Sequence, residues 1–293
     1  MYLTGFADEA ARDLDGQIKA TLELGWENIE SRNIDGTNLH NLSDADFDIV
    51  EGKLKDAGVK INCFGSAIGN WQKKITDPID SSIEESKRAI PRMHRLGAKL
   101  VRMMSFALIK ENGPDDQMKE ERFKRVQIIK DMFESEGLTP VHENCMNFGG
   151  MSAKHTLELI ENVPGLKLVF DTGNPFFTLD RSKPEPYPIQ DAFEFYEQVK
   201  EHVHYIHIKD GDMNEEGNQV FTYPGEGRGS VIKIIEDLAS RNYQGGISIE
   251  PHMGAVFHDE SVTTPEDKKF RMYVEYGQRM EKIIRDAEAK AKA

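Results

Sequence analysis

Leu166-Lys167-Leu168-Val169-Phe170-Asp171 is a short apolar run that ends on a carboxylate, with the turn residues Thr172, Gly173 and Asn174 directly behind it. Runs of this length, rich in Val, Ile and Phe and bounded by turn signals, read as buried strands. The same unit recurs at 138–143 (LTPVHE), 203–208 (VHYIHI) and 245–250 (GGISIE). Working outward to the first half of the chain, it appears at 2–7 (YLTGFA), 26–31 (WENIES), 59–64 (VKINCF) and 99–104 (KLVRMM), which makes eight.

Longer amphipathic segments separate the runs. Residues 118–136 place Phe123, Val126, Ile129 and Phe133 on one stripe, and 230–240 do the same with Val231, Ile234, Ile235 and Leu238. Each stripe is the core-facing side of a surface helix. Gly25, Gly58, Gly97 and Gly137 stand just before strands, where a helix ends in a left-handed residue. Eight strand–helix repeats fit either a doubly wound sheet or a closed barrel. A doubly wound sheet that binds a dinucleotide carries a glycine-rich fingerprint after its first strand, and none is present here. The expected fold is therefore α/β, a single (β/α)₈ TIM barrel spanning 1–293 as one domain, with 285–293 as a fraying helix end.

Composition sets outer bounds. The chain has 293 residues, is 38% hydrophobic and 30% charged, and carries a formal charge of −14, which disfavours a duplex nucleic-acid binder. Two cysteines, Cys63 and Cys145, suggest neither a disulfide framework nor a thiolate metal site. The opening residues lack a signal-peptide pattern and no apolar run is long enough for a membrane span, so a cytoplasmic protein is expected.

Residues at the carboxyl ends of barrel strands point into the mouth of the barrel. The last four strands end at Glu143, Asp171, His207 and Glu250, spaced 28, 36 and 43 residues apart, each about one βα unit. A lone acid at a strand end is usually a cap or a solvated loop residue. Four consecutive strands ending in this set instead point to one divalent cation: carboxylates and an imidazole suit Mn²⁺ first, with Mg²⁺, Co²⁺ or Zn²⁺ as alternatives.

The segments HEN (142–144), FDTGN (170–174), HIKD (207–210) and ISIEPH (247–252), in that order, resemble the xylose-isomerase-like barrel superfamily of sugar isomerases and epimerases. Ketose 3-epimerases, inosose dehydratases and C-glycoside deglycosidase large subunits belong to it. GFADEA and IESRNIDG near the start also look like one branch of that group. The resemblance implies that Glu143, Asp171, His207 and Glu250 bind the metal. It further implies that Glu143 and Glu250 act as the acid/base pair on the carbon beside a keto-sugar carbonyl. It suggests a homo-oligomer, and a companion subunit as in some glycoside-cleaving relatives.

Other candidates follow from position. His142 precedes the first ligand; alternation turns it away from Glu143, and a base at a strand end or a packed histidine are both open. Glu30, Arg32, Asn174, Arg228 and His252 are candidate substrate contacts, with Glu30 expected to face the pocket. Asn174 stands where ketose epimerases commonly carry a histidine, which separates this chain from their sugar specificity. The turn Pro224–Ser230, with three glycines and Arg228, reads either as an anion cradle or as a tight turn into a Ser-capped helix. Asp210 reads as a loop cap or a partner of the ligand shell, and Phe176, Phe177 and Trp71 as pocket wall or core. The first functional reading is a metal-dependent sugar isomerase or epimerase. The alternative is a lyase eliminating from a 3-oxo-glycoside or inosose. An apurinic-site endonuclease would want more metal ligands and a basic face, and a non-catalytic barrel would have no use for all four ligands.

Overall fold

The computed structural model describes residues 1–254 and 264–292. Eight parallel strands form the barrel: β1 (Tyr2–Gly5), β2 (Asn28–Ser31), β3 (Lys60–Phe64), β4 (Leu100–Met103), β5 (Thr139–Glu143), β6 (Lys167–Asp171), β7 (Val203–Ile208) and β8 (Gly246–Ile249). Hydrogen-bonded neighbours run β1-β8-β7-β6-β5-β4-β3-β2, and the parallel bridge from Phe6 to Glu30 brings the two ends together. All eight strand expectations match a strand in place.

Helices α1 (Leu14–Glu23), α2 (Asp44–Ala57), α3 (Asp80–Leu96), α4 (Lys119–Glu134), α5 (Ala153–Asn162), α6 (Ala192–Val199), α7 (Val231–Ser240) and α8 (Glu266–Lys292) lie between and after the strands. Gly25, Gly58, Gly97 and Gly137 all have φ near +70°, the left-handed conformation that ends a helix without a Cβ clash. Two expectations need correction. The tail does not fray from residue 285, because α8 is continuous to Lys292, with Ala287 buried beneath it; Ala293 lies outside the described residues. Ser230 is left-handed and makes no capping hydrogen bond, so α7 does not start on a serine cap.

Strand periodicity sorts the apolar residues into two layers. Leu168, Phe170, Ile206, Ile208, Ile247 and Ile249 point outward and join the large core beneath the helices. Cys63, Leu100, Val141, Val169 and Tyr205 point inward and fill the barrel. One step further along the inward face come Arg102 after Leu100, Glu143 after Val141, Asp171 after Val169 and His207 after Tyr205. The plug of the barrel thus sets the floor of its mouth. Among the described residues no helix is long and apolar enough to cross a membrane.

Candidate active site

Glu143, Asp171, His207 and Glu250 are all buried, and each offers a ligand atom lying within 4.8 Å of the others. Glu143 and Glu250 line a cavity of about 530 Å³ at the carboxyl ends of the strands. Glu143 sits with Oε1 3.1 Å from His207 Nδ1, and Glu30 Oε2 is 3.0 Å from His207 Nε2. The imidazole is thus held between two acids, with Phe6 packed edge-on at 5.0 Å.

Three cations balance the buried acids. Lys209 Nζ donates to Asp171 Oδ2 at 2.8 Å and to Glu250 Oε2 at 3.2 Å. Gly173 leaves the space for its stem, since a Cβ there would come within 2.7 Å of Lys209 Cγ. Arg32 bonds Asp8 through Nε (3.0 Å), Glu9 through Nη2 (3.0 Å) and Glu250 through Nη1 (2.8 Å). Arg102 Nη1 reaches Glu143 Oε2 at 3.3 Å. Both guanidinium groups lie over the Phe6 ring, at 4.4 and 5.1 Å.

Protonation follows from this packing. Burial works against charge on Glu143, but Arg102 and His207 hold its carboxyl down at about 2. Burial opposes charge on Glu250 as well, yet Lys209, His252 and Arg32 keep it well below the carboxylate range. Asp171 is pushed up to about 6 by burial, only partly offset by Lys209. Burial would discharge His207, but Glu30 and Glu143 outweigh it and raise the imidazole to about 10.

The residues present fit a divalent cation. Three carboxylates and one imidazole form a hard-to-borderline donor set. Glu30, bonded to the far nitrogen of His207, would be the outer carboxylate that fixes that imidazole as a ligand. Lys209 and the protonated imidazole hold positive charge among the same four side chains.

The remaining expectations divide. Arg32, Asn174 and His252 line the cavity. Asn174 Nδ2 is buried with no hydrogen-bond partner among the described residues. His252 has φ +53°, and its backbone N–H and Nδ1 both meet the Glu9 carboxylate, at 2.6 and 2.8 Å. Glu30 does not face the cavity: it is fully buried behind His207.

His142 is withdrawn as a catalytic base. It points outward, fully buried, with Nε2 3.0 Å from Ser105 Oγ and its ring against Gly149, and burial pulls its pKa down to about 4. Arg228 is withdrawn as a substrate contact: its side chain is half exposed, 3.7 Å from Asp212, and off the cavity wall. The glycine turn it belongs to does cradle an anion, but an internal one. Asp210 Oδ2 accepts from the amides of Gly225 (2.8 Å) and Gly227 (3.1 Å), while Oδ1 accepts from Gly229 (2.8 Å) and Gly211 (2.9 Å).

Sequence reasoning passed over Arg102, Asp8 and Glu9 as site residues. The signal for Arg102 was an arginine inside an otherwise apolar strand; Asp8 and Glu9 stood in the quoted GFADEA without a partner to give them meaning.

Residues 18–271 match the model of the xylose isomerase-like TIM barrel family. The chain belongs to this family. No curated protein matches the sequence. Among solved structures, the xylose isomerase-like fold is shared with the probable 3-DHS dehydratase AsbF of Bacillus anthracis (17% identity, TM-score 0.69, covering 96% of this chain and 99% of that one). A xylose isomerase-like barrel protein of Mycobacterium smegmatis in complex with magnesium has 16% identity and a TM-score of 0.70, covering 98% and 97%. D-allulose 3-epimerase from Methylomonas sp., in complex with D-allulose, has 17% identity and a TM-score of 0.64, covering 96% and 97%. At these identities the likeness is one of fold, and the proteins that share it include an epimerase and a probable dehydratase.

Proposed function

We propose that this protein is a divalent-metal-dependent sugar isomerase or epimerase that removes and returns a proton beside the carbonyl of a keto sugar. The observation carrying this reading is the convergence of Glu143, Asp171, His207 and Glu250 on one buried point bordering the cavity. A cation bound there, Mn²⁺ foremost, supplies Lewis acidity to the carbonyl and orients its neighbouring hydroxyl. The chain's own residues do the rest. Glu143 and Glu250 come from strands separated by β6 and β7, so they approach a ligand from different directions. One takes the proton from carbon as a carboxylate, and the other, having taken up a proton from solvent, returns it. Return to the same carbon from the other side epimerises it; return to the neighbouring carbon interconverts aldose and ketose. Glu30 keeps His207 in one orientation, and Asn174 Nδ2 is a donor available for a sugar hydroxyl.

β-Elimination from a 3-oxo-glycoside or inosose is the second reading. It is favoured by Lys209, whose ammonium lines the cavity beside Asp171 and Glu250 and offsets negative charge as a substituent leaves. The fold shared with a probable dehydratase is compatible with it. The two readings separate in D₂O with Mn²⁺, using ketohexoses, inososes and 3-oxo-glucosides followed by NMR. Deuterium entering carbon without loss of a group is expected for the first, and release of water or aglycone for the second. No exchange and no release with any of these substrates refutes both.

A further inference from the structure

Two kinds of contact hold the four candidate ligands, and they fall on different atoms. From outside the cluster, the amides of Gly173 and Asn174 donate to Asp171 Oδ1 (2.7 and 2.9 Å) and Arg32 donates to Glu250 Oε1 (2.8 Å). Arg102 likewise donates to Glu143 Oε2 (3.3 Å), and Glu30 meets His207 Nε2 (3.0 Å). The remaining atoms meet inside the cluster. Glu143 Oε1 lies 3.1 Å from His207 Nδ1, while Asp171 Oδ2 and Glu250 Oε2 share the ammonium of Lys209, at 2.8 and 3.2 Å. Each side chain can thus keep its outer contact and still present one atom inward, as ligands of a single cation do.

Lys209 reaches this interior by the same rule as its neighbours. It stands two residues after His207, and strand alternation carries both to the inward face. Thr172 clamps its backbone, with Oγ1 donating to the Lys209 carbonyl (2.7 Å) and accepting from its amide (3.1 Å). Its stem runs along Gly173, where an added Cβ would come within 2.7, 2.8 and 2.9 Å of Cγ, Cβ and Cε. The root of the side chain is therefore fixed. Its end borders the cavity, which is the space into which the ammonium can swing. A divalent cation held by the four residues binds through Asp171 Oδ2 and Glu250 Oε2, the two oxygens on which that ammonium sits. Two like charges on one pair of buried oxygens repel strongly. Arg32 and Arg102 face no such conflict, because they hold the other oxygens.

We propose that Lys209 is a built-in competitor of the metal: it gives up Asp171 and Glu250 when a divalent cation binds, and its ammonium moves into the cavity. This exchange lowers the affinity of the site below what the four ligands alone would give, and it delivers a hydrogen-bond donor to the cavity only in the loaded protein. The inference rests on the reading that the four residues hold a cation, and it says what regulates that binding.

The test adds Mn²⁺ to protein stripped of metal by a chelator. Calorimetry gives the Kd for the native protein and for Lys209→Met, which keeps an unbranched stem and removes the charge; the variant is expected to bind about tenfold more tightly. In the native protein, brief treatment with acetic anhydride followed by peptide mass spectrometry reads the accessibility of the Lys209 amine, and Mn²⁺ is expected to raise its labelling several-fold. This second readout needs no variant, so it decides the matter if Lys209→Met fails to fold. A variant Kd equal to or weaker than the native one, or Lys209 labelling that Mn²⁺ leaves unchanged or slows, overturns the exchange, while stoichiometric Mn²⁺ binding keeps the metal reading. Binding by Lys209→Met alone upholds both. Mn²⁺ bound by neither protein removes the metal reading, and the exchange with it.

Discussion

The two halves of the barrel mouth are built from opposite chemistry. Strands β5 to β8 end in the acids and imidazole that converge on one point, whereas β1 to β4 and the turns behind them supply Arg32 and Arg102, together with Asp8, Glu9 and Glu30. The second half holds the candidate metal ligands and the first half makes it possible to bury them. Carboxylates packed this closely repel one another and lose hydration, so each needs a fixed partner. Arg32 and Arg102 provide it from across the barrel, and Lys209 does so within the second half.

Breaking this support from the first half should cost most. Arg32→Met leaves Asp8, Glu9 and Glu250 without their shared guanidinium, and the expected loss is about 3–5 kcal/mol in urea unfolding without added metal. A divalent cation should recover part of that loss, by neutralising Glu250. Equal losses with and without metal would show that the two halves are not coupled. Glu30→Gln is the next test, since it keeps the shape but weakens the hold on His207. Cation affinity measured by calorimetry should fall about 10–100-fold, as expected for the outer partner of a ligating histidine.

Asp210 sharpens the contrast, because it is a buried acid neutralised by backbone amides and not by cations. Asp210→Asn turns a donor toward those amides, with an expected cost of about 1–3 kcal/mol in unfolding free energy and unchanged metal content. Loss of metal in this variant would place Asp210 within the ligand machinery.

The smallest effect concerns His40, whose surroundings in the first half invert the rule of the mouth. Its two ring nitrogens are buried without partners among the described residues. Burial pulls its pKa down to about 3, and Arg88, Lys73 and Arg92 reinforce the shift. A histidine near 6.5 in the unfolded chain therefore takes up a proton there before it does so in the fold. The stability it contributes is complete above that value and is lost as pH falls toward 3. His40→Met should shrink the drop in Tm between pH 7 and pH 5 by about 4 °C. An unchanged acid limb would refute this assignment.

Local rules made much of this molecule legible from sequence. Strand runs, amphipathic stripes and terminal glycines such as Gly58 and Gly97 are properties of neighbouring residues, and the structure has them where the sequence implies. The same is true of the three acids and the imidazole, because a strand end in a barrel has one direction to point. His142 obeyed simple alternation, so of the two readings left open for it, a base at a strand end and a packed histidine, the structure has the second. What stayed hidden was pairing. Arg32 meets Glu250 across 218 residues, and nothing near either one announces the other. The glycine turn at 224–230 left an anion cradle and a serine-capped turn both open; the anion it holds is Asp210 of the same chain, and only the fold brings that carboxylate in to fill it.

The central claim is that Glu143, Asp171, His207 and Glu250 jointly hold one cation, and elemental analysis of the purified protein tests it most directly. Near-stoichiometric Mn²⁺ or another divalent metal is predicted for the native protein, with loss of that metal in both Glu143→Gln and Asp171→Asn while circular dichroism remains native. Full metal content in both variants would contradict the account.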